Sequence, residues 1–453
     1  VARPAVVVGL VVGVAAAGAG LYLRPIAPVA TGYAAQIVCG ATQLQGRTVD
    51  DALGDLPSNP LVPLLRVRED GEGVRATLLG LAPSRAERVP GAGCRLVDDD
   101  ARPVAAVAGV DVGVDDLVVP ADATAAATAA GLDAPALGEA VAKAFDEDLL
   151  VGTKGTRAVV VVHGGEVVAE RYAAGFDEDT PLLGWSMAKS VTHAMVGRLV
   201  LEDLLALGDD DLLPGRWTDE RATITLEQLL RMSSGLAFEE VYDPGTDATE
   251  MLFTPRATGA YAAAKPLTSP PGSVWSYSSG TTNIVCDVAT GVIDGPPAAA
   301  ARDLVFAPLS MTSATMGLDA AGLPVCSSFG YATARDWARF GQWYLQDGVW
   351  GGERLLPEGW VAHAATPVDL PTVDEGELTP YGAQWWLNAD RDGALRYAGV
   401  PNDAFWASGN EGQQVVVLPS HDTVVVRLGL TRDLDGADWG LEDLVAGVVA
   451  ALP

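Results

Sequence analysis

Trp185-Ser186-Met187-Ala188-Lys189 sets a hydroxyl and an amine three residues apart, just before a helix-compatible run from Thr192 to Leu201. Residues i and i+3 share a helix face, so the Ser186 hydroxyl and the Lys189 amine can meet one turn apart. A serine at a helix N-terminus also keeps its own N–H free of an intrahelical acceptor, which makes the Ser186 N–H one candidate half of an oxyanion hole. The Met, Ala and Val neighbours would desolvate Lys189, lower its pKa and let the neutral amine take the serine proton. The choice of lysine adds weight. Lys143, Lys154, Lys189 and Lys265 are the chain's only lysines, and every other cation is Arg, which does not deprotonate in practice. Taken singly, S-x-x-K is also an ordinary helix start.

Two further segments offer partners. In Pro271-Gly272-Ser273-Val274-Trp275-Ser276-Tyr277-Ser278-Ser279-Gly280, a phenol follows a Pro-Gly turn. Tyr277 can relay protons between nucleophile and leaving group if cationic neighbours lower its pKa; its plain alternative is a buried aromatic with a bonded hydroxyl. In Phe405-Trp406-Ala407-Ser408-Gly409-Asn410-Glu411-Gly412-Gln413-Gln414, Gly412 would let a substrate lie against a strand edge, and the Gln413 N–H would complete the oxyanion hole. That segment also reads as a Gly-rich turn. Trp385 and Trp386 either line a cleft or fill the core. Gly184-Trp185-Ser186-Met187-Ala188 misses the G-x-S-x-G elbow at its last position, which argues against an α/β-hydrolase.

The elements that must position these residues are legible in outline. Asp133 can cap a helix running through Ala136–Phe145. Ala158–Val162 and Val167–Arg171, joined by His163-Gly164-Gly165, predict a hairpin, as do Gln414–Leu418 and Thr423–Leu428 around Ser420-His421-Asp422. Trp439–Leu452 reads as a closing amphipathic helix. Strands at both ends of the region flank a helical, loop-rich middle, an α+β arrangement with one antiparallel sheet built from distant sequence. Residues 25 to 130 read as a mixed extension with short strands such as Ala76–Leu79 and Asp116–Val119.

Composition narrows the class. The 453 residues carry 59 acidic and 29 basic side chains, a formal net charge of -30 that repels nucleic acid and anionic surfaces. Ala5 to Leu23 is uncharged, bracketed by Arg3 and Arg24, and about long enough to span a bilayer; Ala17-Gly18-Ala19 alternatively suits a signal-peptidase site. Either reading of residues 1–24 exports the rest, to a periplasmic or extracellular face, with membrane contact through that segment only. Cys39, Cys94, Cys286 and Cys326 lack zinc-type spacing; in an exported chain they allow three disulfide pairings, with buried free thiols as the alternative. His163, His193, His363 and His421 are scattered and read as turn or packing residues, so no metal site is expected.

Together, the three segments resemble, in order and spacing, the class C β-lactamase-like superfamily of serine hydrolases, and most nearly its 6-aminohexanoate-dimer hydrolase and esterase branch. Ser186 to Lys189 looks like the family's S-x-x-K, Tyr277-Ser278-Ser279 like its Y-x-N or Y-S-x, and Asn410-Glu411-Gly412 falls where K-T-G or H-x-G stands. Flanking phrases agree, among them Leu229–Leu236, Thr333–Gly341 and Tyr381–Trp386. The likeness covers roughly 130 to 453. It implies a penicillin-recognising fold over 131–453: an antiparallel sheet flanked by helices, plus a mostly helical subdomain. It also implies acyl transfer with Ser186 as nucleophile, Lys189 and Tyr277 as the coupled base, and the N–H groups of Ser186 and Gln413 as oxyanion donors, with no metal or organic cofactor. Ser279, Asn410, Gly412, Trp385 and Trp386 are the implied substrate contacts. Ser279 stands where β-lactamases carry an amide, and Asn410 where they carry a cation. Both departures favour small-molecule esters or small linear amides over β-lactams. Cell-wall or D-amino-acid peptides, and a non-catalytic sensor of the same fold, are the competing readings. The resemblance favours Cys39 with Cys94 as a disulfide, ahead of Cys286 with Cys326.

Overall fold

The computed structural model describes residues 25–98, 100–147, 152–372, 380–432 and 439–453. Ala5 to Leu23, with its anchor or signal reading, lies outside them. Among the described residues no helix is long and apolar enough to cross a membrane.

The chain enters as a helix, α1 (25–43), where a loosely mixed segment was expected. Its Ala34, Ala35, Val38 and Cys39 recur at helical spacing and pack on Val74, Ala76, Ala86 and Leu96. These belong to a four-stranded antiparallel sheet, β1 (Leu65–Glu69), β2 (Gly73–Leu78), β3 (Leu81–Val89) and β4 (Gly93–Val97), in sequence order. Short α2 (Val49–Gly54), with a Thr48–Asp51 capping box, closes this small core. A Cys39–Cys94 disulfide ties α1 to β4. The other expected strand, Asp116–Val119, is reduced to a single bridge from Val118 to Glu166.

After α3 (Ala123–Ala129), Asp133 caps α4 (Ala134–Lys143), accepting from the Ala136 N–H at 3.1 Å. Both expected hairpins form: β5 (Thr156–His163) with β6 (Glu166–Tyr172), and β14 (Gln413–Leu418) with β15 (Thr423–Gly429). They join one six-stranded antiparallel sheet in the order β12 (Trp386–Leu387), β13 (Phe405–Gly409), β14, β15, β5, β6. The β15–β5 pairing unites residues about 265 positions apart, matching Val425 to Val161. The Val runs in these strands have a simple cause: both faces are covered. Val160, Val162, Val415, Val417, Val424 and Val426 face the larger core, whereas Val159, Val161, Val416 and Val425 face α4 and the closing helix α12 (Leu441–Ala450).

The larger core contains α5 (Met187–Leu201), α9 (Ser279–Gly291) and α10 (Ala334–Leu345), with short α6 (Leu226–Leu230), α7 (Asp247–Phe253), α8 (Thr258–Ala263) and α11 (Trp360–Ala364) around them. Every residue of α5 from Met187 to Gly197 is buried, so this helix has no polar face and runs through the middle of the subunit. A small sheet of β7 (Leu182–Leu183), β9 (Gly330–Ala332) and β8 (Thr315–Met316) holds the chain just before it. β10 (Val349–Trp350) and β11 (Glu353–Arg354) form a separate two-stranded ladder.

Candidate active site

The approach to Ser186 is tightly constrained. The Gly184 N–H is bonded to the Gly330 carbonyl of β9 at 2.8 Å, and a Cβ on Gly184 would fall 2.6 Å from the Trp337 ring. Trp185 then adopts φ +47°, a conformation unfavourable for a bulky L-residue. Its indole N–H holds it there by donating to Glu411 at 3.0 Å, and Glu411 in turn is paired with Arg432 at 2.5 Å. This turn delivers Ser186 as the N-cap of α5, part-exposed, with its side chain free of capping duty.

Lys189 follows one turn later, only 2% exposed. Its Nζ lies 2.9 Å from Ser186 Oγ, 2.9 Å from Ser279 Oγ and 3.1 Å from the Ser327 carbonyl. The proton directions within this cluster are fixed by its outermost members. Ser279 donates its hydroxyl proton to Glu240 at 2.6 Å, so Ser279 Oγ must accept from Lys189. The Ser327 carbonyl can only accept. Those two bonds occupy two of the three positions on Nζ; the third is an N–H donated to Ser186 Oγ in the ammonium and becomes a lone pair facing that oxygen once Lys189 is neutral. Burial lowers the Lys189 pKa to about 8, against the opposing pull of Glu240. The neutral base is therefore accessible near neutral pH.

Tyr277 hydrogen-bonds the Ser186 side chain, and the Lys189 Nζ sits 4.7 Å from the centre of its ring. The expectation that cationic neighbours depress this phenol is overturned. Burial, reinforced by the Glu240 carboxylate, pushes Tyr277 far above its ordinary value, because the ammonium meets the ring face rather than the oxygen. Tyr277 is thus a protonated hydroxyl, suited to giving a proton to a leaving group. Trp275, Tyr381 and Trp386 surround it, with ring centres 5.3–6.5 Å away.

The backing of this cluster is covalent as well as hydrogen-bonded. Asn283 on α9 receives the Ser327 N–H at 3.3 Å and donates to its hydroxyl at 3.0 Å. A second disulfide, Cys286–Cys326, pins α9 to the residue preceding Ser327. Glu240, Ser327, Asn283 and Glu411 were all missed by the sequence reading. Glu240 is a lone carboxylate in a loop of a very acidic chain, with no spacing to mark it, and Glu411 stands inside the third segment without a role assigned to it.

The expected substrate contacts separate. Ser279 is fully buried and links Lys189 to Glu240 instead of facing the cleft. Trp385 is also fully buried, stacked on Phe340 and packed against Tyr344 and Phe405, whereas Trp386 lies part-exposed beside Tyr277. Neighbouring residues of extended chain point to opposite sides, which divides the pair. Gly412, at φ +81°, makes room for the Arg427 guanidinium, 2.4 Å from where a Cβ would sit, and not for a ligand. Asn410 is exposed at the lip of the cleft. Gln413 belongs to β14, opposite Gly409 of β13, and its side-chain amide donates to the Asn410, Glu411 and Gly429 carbonyls. Gly409 touches the approach to Ser186, its Cβ position 2.0 Å from the Gly184 carbonyl. The strand that runs beside this approach is β13, with Gln413 paired to it.

Of the histidines, His163 and His421 are in strand-end and turn positions. His193 and His363 form an interior chain, with Tyr344 at 2.9 Å from His193, 3.2 Å between the two rings, and Glu227 at 2.7 Å from His363. Among the described residues no cluster of His, Cys, Asp and Glu is arranged to hold a metal.

Comparison with known proteins agrees with this geometry. The β-lactamase family profile matches residues 150–441. A curated relative, the 6-aminohexanoate-dimer hydrolase of Paenarthrobacter ureafaciens, is 27% identical over 306 residues, covering 63% of this chain and 75% of its own length. Among solved structures, a Bacillus anthracis protein provisionally named a 6-aminohexanoate-dimer hydrolase superposes with a TM-score of 0.56 at 23% identity, over 68% of this chain and 87% of its own. A family VIII carboxylesterase gives 0.56 at 18% identity, over 70% and 97%. At these identities the structural likenesses establish the fold.

Proposed function

Because the chain belongs to the β-lactamase family of serine hydrolases, we propose that Ser186 is its nucleophile and that it cleaves esters or small linear amides through an acyl-enzyme. The observation that carries this reading is the cluster around Lys189, whose Nζ is held by Ser279 and Ser327 and lies 2.9 Å from Ser186 Oγ, so that deprotonation leaves its lone pair on that oxygen. Ser186 Oγ adds to the substrate carbonyl as its proton passes to Lys189. The Ser186 N–H and a backbone N–H from the adjacent strand β13 hold the oxyanion. Collapse expels the alkoxide or amine, which takes a proton through Tyr277. Water then attacks the acyl-enzyme, with its proton following the same path in reverse.

Esters and linear amides are favoured over β-lactams because Ser279, which is buried, offers no amide and Asn410 offers no cation. The same losses weigh against cell-wall peptides. A sensor without turnover would not need Ser186, Lys189 and Tyr277 in mutual contact. Two disulfides support an oxidising, exported location. We assign the hydrolase domain to 131–453 and regard 25–130 as an extension of it.

A fluorophosphonate probe is expected to label the peptide containing Ser186, and Ser186→Ala to abolish both label and turnover. Survival of either would remove Ser186 from the mechanism. With the parent protein, kcat/KM for a nitrophenyl ester should exceed that for a chromogenic cephalosporin; equality or reversal would defeat the substrate assignment.

A further inference from the structure

A cavity of about 210 Å³ lies on the Trp185 side of the nucleophile, away from Lys189. One wall is α1, through Ile26, Val29 and Ala30; Leu65 of β1 adds to it, and Trp185 and Phe253 stand in the main body. Most of this wall comes from residues before 150, outside the region matched by the family profile. α1 is seated here firmly: Gly32 approaches so closely that a Cβ would be 1.8 Å from the Phe253 carbonyl, and Tyr33 meets Phe253 edge-on at 4.9 Å. At the polar edge of the cavity Glu411 is engaged by Trp185 and Arg432, and Arg432 also by the Asp55 carbonyl, while Arg432 Nε is buried without a partner among the described residues. Apolar surface continues outward from Leu65 to its neighbour Leu64 and to the β2–β3 turn, where Leu64, Leu79 and Leu81 are exposed by 39%, 58% and 71%.

We propose that this cavity is an acyl-side or alkyl-side subsite, and that the substrate carries an unbranched apolar chain which runs from the reacting carbonyl past Trp185 to α1. The proposal rests on the hydrolase reading above and adds a substrate class to it. Trp185, the residue before Ser186, and Tyr242, bonded to Glu240 at 3.1 Å, both line the cavity and tie it to the neighbourhood of Ser186. Its largely apolar lining rewards methylene groups.

The test uses the full chain and nitrophenyl esters of increasing acyl length. kcat/KM should climb about three- to fourfold per added methylene until the cavity is full, then level off. Ala30→Trp, which fills the cavity from α1, should flatten that climb while leaving acetate hydrolysis within about twofold; Leu65→Trp does the same from the opposite wall should the first variant misfold. A flat length series, or a climb indifferent to both variants, overturns the subsite but not the hydrolase. Binding of dansylundecanoic acid to Ser186→Ala, followed by emission, decides the matter without turnover. Saturable binding that is lost with Ala30→Trp supports the subsite even if no ester is cleaved, an outcome that would instead sink the hydrolase reading. Probe binding that appears only when residues 1–23 are removed would identify the chain's own apolar segment as the occupant and would overturn the proposal.

Discussion

Two consecutive turns of α5 carry a buried base each, and only one of them meets Ser186. Lys189 and His193 are four residues apart, 2% and 0% exposed. Burial acts on both in the same direction, lowering the Lys189 pKa to about 8 and that of His193 well below its ordinary value. Their surroundings differ. Lys189 looks toward the open end of the helix, where Ser186 is part-exposed and a substrate carbonyl can arrive. His193 is enclosed by Trp360, stacked at 4.7 Å, and by Tyr344 and His363, which satisfy both ring nitrogens. A perturbed pKa thus marks burial, and it becomes catalysis only where the lone pair has an exit.

The largest expected effect comes from replacing the base that has that exit. Lys189→Arg should fold, since the chain uses Arg for nearly all its cations, yet its acylation rate should fall by at least ~10²-fold, because guanidinium retains its proton. Single-turnover acylation with a melting curve is the measurement. A folded variant that acylates at the parent rate would make Lys189 as structural as His193 and erase the contrast.

A smaller effect tests how Lys189 is tuned. Its neutral form is the base, so kcat/KM should rise with pH through about 8. The Glu240 carboxylate stabilises the ammonium, and hence raises this pKa against the larger effect of burial. Glu240→Gln should therefore move the rising limb to lower pH, while the loosened Ser279 costs on the order of tenfold at the plateau through poorer orientation. An unmoved limb with a lowered plateau would reduce Glu240 to a structural residue.

The chemistry of this site was legible where it depended on local spacing. Ser186 and Lys189 are linked by helix geometry alone, and the two hairpins, the Asp133 cap and the closing helix follow from periodicity and turn residues. What could not be read is what long-range packing decides. Glu240 meets Ser279 across 39 residues, and Trp185 meets Glu411 across 226. α1 was missed because its small apolar residues present no polar face that would announce a helix. Trp385 and Trp386 were indistinguishable as letters, and only the direction of each side chain separates core from cleft. Gly412 looked permissive toward ligand, whereas the residue it accommodates, Arg427, lies on the neighbouring strand.

The smallest effect on activity, and the clearest on stability, belongs to His193. The groups facing it are Tyr344 from α10, His363 and Trp360 from α11, and, through His363, Glu227 and Arg231 at α6. Desolvation, with His363 and Arg231 adding to it, keeps the ring neutral in the folded protein. An unfolded chain would protonate the same ring near pH 6.5. Below that pH the unfolded state binds a proton that the folded state refuses, so stability falls as pH drops, by at most ~1.4 kcal/mol per unit for one proton. Above it the two states are alike and the term vanishes. His193→Gln removes this titration while keeping a hydrogen-bonding side chain. The variant should melt below the parent at pH 8, where buried hydrogen bonds worth about 1 kcal/mol are weakened. The gap should narrow, or reverse, between pH 6.5 and 5. Acylation at pH 8 should stay within about twofold of the parent, since neither His193 nor its partners Tyr344, His363 and Glu227 hydrogen-bond Ser186. A gap in melting temperature that is constant with pH would mean the ring is not held neutral, and the symmetry of burial between the two bases would be lost.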